Sequence, residues 1–198
     1  MSQLFFTLTI LLLTIDYPNC GSNPLYNRMS RMLDNPTTSD IQFVLGSKTI
    51  YAHRCILVNF SSYFEVMLSE RWIPPVDSDD SIFKVPINEY PYEVFYAFLH
   101  YIYTQSLNCE PDYLMELYEL ASCFMEPELE QLCLSKMQIS INIGNCCQFY
   151  QFAKRFELVK FKQYLDRFIK DNYAEVSVID GFESLSPEQR QMFEALDY

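Results

Sequence analysis

The most informative part of the chain reads Ser39-Asp40-Ile41-Gln42-Phe43-Val44, followed shortly by Ile50-Tyr51-Ala52-His53-Arg54-Cys55-Ile56-Leu57. Residues 41–45 and 48–51 are rich in β-branched and aromatic side chains, and the turn-forming pair Gly46-Ser47 separates them. Two such runs joined by a short glycine-containing turn predict a β-hairpin.

A short amphipathic helix is predicted before this hairpin. Apolar side chains recur there at positions i, i+4, i+7 and i+8, namely Leu25, Met29, Met32 and Leu33. This spacing places them along one face of a helix, which we expect to end at Asp34-Asn35-Pro36.

After the hairpin, the chain reads mainly as helix. We expect helices to begin near His53 and at Ser61-Ser62, and a short strand over residues 82–85. Ser186-Pro187-Glu188-Gln189 predicts a capping box at the start of the last helix. The predicted class is α+β and mainly helical, with a small sheet early and helical hairpins late. A sub-domain boundary is expected at Gly144-Asn145.

The composition excludes several classes of function. Of the 198 residues, 49% are apolar and 16% aromatic, which is enough for a substantial core. The 26 acidic residues outnumber the 14 basic ones, giving a net charge of −12. This balance argues against nucleic acid and against an anionic membrane surface as direct ligands. With four glycines the chain has no phosphate-binding loop, and we expect no cofactor.

The cysteine and histidine content argues for a reducing compartment and against catalysis. Seven cysteines, an odd number without any C-x-x-C pair, favour free thiols in the cytoplasm or nucleus. Cys123 and Cys133 are expected to pack as small apolar side chains. His53 is interpreted as a structural histidine and His100 as a partly exposed surface residue, and neither has the spacing of a zinc ligand set.

Two regions leave alternatives open. Residues 4–15 form an apolar run that is too short to span a membrane, and it reads as a signal peptide without its basic start, as a remnant strand, or as the product of an atypical start site. Six basic residues lie within 154–170, after acidic helices. They form either two solvated faces with some pairing, or an acidic face that a basic partner recognises.

The quoted series resembles the BTB/POZ domain. The family's "SD-apolar-x-F" strand is similar to residues 39–43, its "AHK-x-x-L" junction to residues 52–57, and its "S-x-YF-x-x-M" helix to residues 61–67. Residues 98–104, FLHYIYT, look like its following helix. The resemblance covers residues 25–138, with a hydrophobic segment and linker at 1–24. Residues 143–198 look like a shortened BACK extension, most similar to BTB proteins that carry chromosome-condensation-regulator repeats.

This resemblance implies a homodimerising interaction module that pairs with itself or with related BTB proteins. In such domains the first helix and first strand form much of the dimer interface. The matching residues here are Leu25, Met29, Met32 and Leu33, with Asp40 and Arg54 at the family's buried acidic and basic positions.

The resemblance also implies a substrate adaptor for a cullin-3 ubiquitin ligase. The cullin-binding surface is expected to include Met67, Leu68, Trp72 and Tyr118, extended by the helices at 145–171. Pro74 stands where adaptors commonly have glutamate. The alternative is a scaffold that oligomerises or recruits a corepressor without binding cullin.

Overall fold

The structure is a computed structural model that describes residues 23–69 and 82–194. The N-terminal apolar run, Trp72 and Pro74 therefore lie outside the described residues. The chain divides into two compact units, Met1–Asn108 and Cys109–Tyr198, and each is described by itself.

The first unit contains four helices and a three-stranded sheet among its described residues. In chain order they are α1 (Pro24–Met32), β1 (Ile41–Leu45), β2 (Lys48–Ala52), α2 (Arg54–Phe60), α3 (Ser62–Met67), β3 (Phe83–Pro86) and α4 (Tyr92–Thr104). The strand order is β2-β1-β3. β1 pairs with β2 in antiparallel register, Phe43 opposite Ile50, and with β3 in parallel register, Phe43 opposite Val85.

The predicted hairpin is confirmed. Leu45 and Lys48 are paired across a two-residue turn, in which Gly46 has a φ of 60° that favours glycine. Alternate side chains of β1 are buried, as expected for a strand with one face on a core. At the centre of that core, the Phe43 ring lies 5.0 Å from the Phe95 ring and 5.8 Å from the Phe64 ring, centroid to centroid.

The second unit is helical throughout its described residues. It contains a 3₁₀ turn (Pro111–Tyr113) and then α5 (Leu114–Cys123), α6 (Pro127–Ser140), α7 (Cys146–Arg155), α8 (Val159–Asp171), α9 (Tyr173–Val176), α10 (Asp180–Glu183) and α11 (Pro187–Glu194). α5 packs against α6, and α7 against α8, so the late helical hairpins are confirmed. The α+β, mainly helical class is also confirmed.

The predicted capping box at the start of α11 is confirmed. The Ser186 amide donates to Oε1 of Gln189 at 2.7 Å, and the Gln189 amide donates to Oγ of Ser186 at 3.3 Å. The break at Gly144-Asn145 separates α6 from α7, while the sub-domain boundary expected there stays a prediction.

Two expectations about single residues are wrong. His100 is only 4% exposed rather than a surface residue, because Tyr26 of α1 lies edge-on against its ring at 6.0 Å. Cys123 is exposed rather than packed, because it lies on the side of α5 away from the buried Tyr118 and Ala121, whereas Cys133 within α6 is fully buried as expected. The six cysteines in the described ranges are all free.

Within the described ranges, the helices are all too short or too polar to cross a bilayer.

Candidate protein-interaction surfaces

The first helix presents apolar side chains that are exposed among the described residues. α1 begins after Asn23, whose Oδ1 accepts from the Leu25 amide at 2.9 Å, and Pro24 occupies its first turn. One side of α1 packs on α4 through Tyr26. On the rest of the helix Leu25 is 65% exposed, and Met29 and Met32 are partly exposed.

Leu33, the last member of the predicted stripe, lies differently. It is 5% exposed and belongs to the core of the first unit. Leu33 is therefore inaccessible to a partner, and the accessible atoms of the predicted stripe belong to Leu25, Met29 and Met32. These three residues are called the α1 face below.

Asp40 and Arg54 are joined through the backbone rather than through their charges. Oδ1 of Asp40 accepts a hydrogen bond from the Arg54 amide at 2.7 Å, at the first turn of α2. A carboxylate at a helix N-terminus stabilises the unpaired amides there. Between these two described side chains there is no ion pair, and Asp40 is exposed while Arg54 is half-buried.

His53 fixes this corner of the first unit. It is 5% exposed, and its ring nitrogens lie 2.9 Å from the Tyr103 hydroxyl (Nδ1) and 2.9 Å from Oγ1 of Thr38 (Nε2). The Tyr103 oxygen also accepts a hydrogen bond from the His53 amide at 2.7 Å, so both the backbone and the ring of His53 are held against Tyr103. Burial raises the pKa of Tyr103, which keeps the phenol protonated. The structural interpretation of His53 is confirmed.

In the second unit, α5 and α7 line an open cleft of about 450 Å³. Its lining is Met115, Glu116 and Glu119 from α5, and Gln148, Gln151, Phe152 and Arg155 from α7. The Arg155 guanidinium pairs with the Glu119 carboxylate and lies 5.7 Å from the centre of the Phe152 ring. The cleft combines two apolar side chains with amides and charges.

Nothing in the described ranges resembles a metal site, since no three histidine, cysteine or acidic side chains converge there.

Comparison with known proteins assigns the family. The model of the BTB/POZ domain matches residues 29–141, more than half of the chain. The chain belongs to the BTB/POZ family. This domain is a protein-interaction module, and generally a non-enzymatic one.

Individual relatives cover only parts of the chain. It is 29% identical over 126 residues to the bovine BTB/POZ domain-containing protein 19, which spans 63% of this chain and 42% of that protein. The chain thus matches less than half the length of this curated relative. Among solved structures, the BTB domain of zebrafish PATZ1 is 20% identical with a TM-score of 0.42, covering 52% of this chain and 77% of that one. The BTB domain of human Gigaxonin is 18% identical with a TM-score of 0.42, covering 61% and 92%.

The residues expected to bind cullin in this BTB protein have different environments. Met67 is half-buried at the end of α3, and Leu68 is fully buried in the core of the first unit. Tyr118, in the second unit, is 5% exposed and packs edge-on against Phe152, with ring centroids 5.3 Å apart. Burial raises the pKa of Tyr118 to about 12. Leu68 and Tyr118 therefore offer almost no area to a partner, and Trp72 lies outside the described residues.

Sequence reasoning missed two exposed apolar side chains of the BTB domain. Phe60, the last residue of α2, is 52% exposed, and Val66 of α3 is 65% exposed. It also missed the α5–α7 cleft. Its lining residues on α7 recur at helical spacing, positions 148, 151, 152 and 155, so the pattern was present in the sequence.

Proposed function

We propose that this BTB protein forms a homodimer through the α1 face and acts as a substrate adaptor for a cullin-3 ubiquitin ligase. The observation that carries the proposal is the 65% exposure of Leu25 beside partly exposed Met29 and Met32, on a helix already anchored to α4. Apolar side chains clustered on an anchored surface helix are typical of an interface. A second copy, or a related BTB protein, is the proposed occupant.

Each of the two units separately supports the proposal of a cullin-binding surface. In the first unit Val66 and Phe60 add exposed apolar area to the helical pair that ends in Met67. In the second unit the α5–α7 cleft is lined by the apolar Met115 and Phe152 together with amide and charged side chains, a mixture that partner-binding surfaces also have. The proposed cytoplasmic or nuclear location is in keeping with the six free thiols among the described cysteines. Assignment of residues 143–198 to a shortened BACK extension, and kinship with repeat-bearing BTB proteins, belong to the same proposal.

The test is a titration of the full chain with the N-terminal region of cullin-3 by calorimetry, after light scattering has established its mass. We expect submicromolar binding of one cullin per protomer. Val66→Asp is expected to weaken this binding at least tenfold. Val178→Asp is the matched control, since Val178 is 80% exposed in the second unit and a charge there touches neither proposed surface. A folded dimer that gives no heat at tens of micromolar would contradict the adaptor role.

A second function, a BTB scaffold that oligomerises or recruits a corepressor without cullin, is favoured by a specific observation. Leu68 and Tyr118, two of the four expected cullin contacts, are buried within their units. The same titration separates the two functions, because a scaffold keeps its dimer mass and gives no cullin heat.

A further inference from the structure

An arginine lies within the apolar row of α1. Arg28 is exposed, and it follows Leu25 by three residues and precedes Met32 by four. Side chains at these spacings are neighbours on one side of a helix, so Arg28 lies between the two ends of the α1 face. A partner that covers both Leu25 and Met32 must therefore also contact Arg28.

The charge of Arg28 is not compensated within the described part of the chain. Its side chain forms neither a hydrogen bond nor an ion pair with another described residue. The nine residues of α1 include two arginines and no acidic residue, although the whole chain has a net charge of −12. The first helix is thus a cationic surface on an acidic protein.

The other arginine of α1 has an ordinary structural role. Arg31 lies in the last turn of the helix, where a positive charge interacts favourably with the helix dipole, and its Nε donates to the Asn27 carbonyl at 3.0 Å. Arg28 lies in the middle of the helix and has neither role. Its place in the apolar row favours a function in recognition of a partner over one in the stability of α1.

A second copy of this chain is an unfavourable partner for Arg28. In a two-fold contact the same surface patch is used on both chains. The midpoint of the row from Leu25 to Met32 falls between residues 28 and 29. When two such faces are centred on one another, the two Arg28 side chains therefore lie close together, whether the helices run parallel or antiparallel. Like charges placed opposite each other in an interface weaken the pairing.

We propose that the α1 face selects, in preference to a second copy of this chain, a related BTB protein whose first helix carries a carboxylate opposite Arg28. The inference rests on the proposed dimer through the α1 face and specifies its preferred partner. An aspartate or glutamate at that place would pair with the guanidinium, and the apolar side chains around the pair would exclude water from it. Selectivity of this kind combines one attractive pair with repulsion in the competing homodimer.

The experiment mixes the full-length wild type with Arg28→Glu, which supplies the carboxylate on an otherwise identical chain. One of the two proteins is labelled with heavy nitrogen, so that native mass spectrometry distinguishes the two homodimers from the mixed dimer. Without a preference, mixed dimers make up half of all dimers. We expect about nine-tenths, which corresponds to a mixed dimer about tenfold tighter than the homodimers.

Two further variants separate the effect of Arg28 from that of net charge. Arg167→Glu makes the same change in net charge at an exposed residue of α8, in the second unit, and its mixture with the wild type should contain mixed dimers at the random half. Arg28→Gln removes the like charge without adding a carboxylate, so its homodimer should be severalfold tighter than that of the wild type. Helical circular dichroism verifies that each variant is folded.

Failure of the proposal can be distinguished from failure of the dimer on which it rests. If the folded wild type, Arg28→Glu and their mixture all remain monomeric at tens of micromolar, both are overturned. Dimers that mix at the random half, or an equal excess of mixed dimers with Arg167→Glu, would leave the dimer intact and overturn the selectivity assigned to Arg28. An excess of mixed dimers with Arg28→Glu alone supports the proposal.

Discussion

Asp34 and Tyr51 exchange two hydrogen bonds on the side of β2 that faces away from β1. The Asp34 amide donates to the Tyr51 carbonyl at 2.8 Å, and the Tyr51 amide donates to Oδ1 of Asp34 at 3.1 Å. Asp34 has a φ of 61°, a left-handed conformation that aspartate and asparagine tolerate better than most residues. Asp34, two residues beyond the end of α1, thus ties the helix to the sheet and occupies part of an edge that a foreign strand would otherwise pair with.

Replacement of Asp34 tests this tie. Asp34→Ala removes the side-chain acceptor and places a poorly suited residue at positive φ, so we expect the free energy of unfolding to fall by about 1–2 kcal/mol. Asp34→Asn keeps both properties and should change stability by less than about 0.5 kcal/mol. Urea unfolding measures the free energy of unfolding of both variants. Equal decreases in the two variants would contradict the proposed role of Asp34.

The buried His100 predicts weaker stability in acid. Burial lowers its pKa below the ordinary value of 6.5. As pH falls through 6.5, the unfolded chain takes up a proton that the folded chain refuses, so folding stability declines until the folded pKa is reached. Tyr26 and Tyr96 pack against the ring, and Thr104 lies 3.3 Å from Nδ1.

His100→Gln isolates this effect. Urea unfolding at pH 7.5 and pH 5.5 should show a smaller acid loss in the variant than in the wild type. The other histidine, His53, is present in both proteins and cancels in the comparison. A wild type that gains stability on acidification relative to His100→Gln would contradict the direction of the pKa shift.

Arg155 and Glu119 provide a test of the α5–α7 cleft. The pair joins the two helices across the cleft, but both side chains are substantially exposed. A double-mutant cycle with Arg155→Gln and Glu119→Gln should therefore give a coupling of only about 0.2–1 kcal/mol. Arg155→Gln should alter cullin affinity more than it alters stability. A coupling near zero would show that the two helices are held by packing alone.

Two hairpin turns of the second unit carry side chains where glycine is favoured. Met125 and Glu157 have φ values of 58° and 53°, just after α5 and α7. Met125→Gly and Glu157→Gly should each raise the free energy of unfolding by about 0.5–1 kcal/mol, since the left-handed penalty exceeds the entropy cost of glycine. Gln131→Gly, within α6, is the control and should lower it by about 1 kcal/mol. Thermal unfolding measures all three.

The parts of the fold that depend only on residues close together in the sequence could be predicted from it. The two-residue turn at Gly46-Ser47, the helix before Asp34 and the capping box at Ser186 are each encoded within a few positions, and each is present in the structure. Their determinants are local backbone conformation and local hydrogen bonds, which a short pattern specifies fully.

Burial within helices was less predictable, because it depends on which faces other elements cover. His100 is buried because Tyr26 of α1 packs against its ring, and Cys123 is exposed because it lies on the side of α5 away from the buried Tyr118 and Ala121. The α5–α7 cleft arises from two helices distant in sequence. In the first helix, the periodicity predicted that Leu25, Met29, Met32 and Leu33 share one side. It could not predict that Leu33 belongs to the core while the other three are accessible.

The central claim, self-association through the α1 face, is tested most directly by sedimentation equilibrium of the full chain. The wild type should have the mass of two chains at micromolar concentration, and Met29→Asp combined with Met32→Asp should have the mass of one while keeping its helical circular dichroism. Val178→Asp should remain dimeric. A wild type that stays monomeric at tens of micromolar, or a double variant that remains a dimer, would contradict the account.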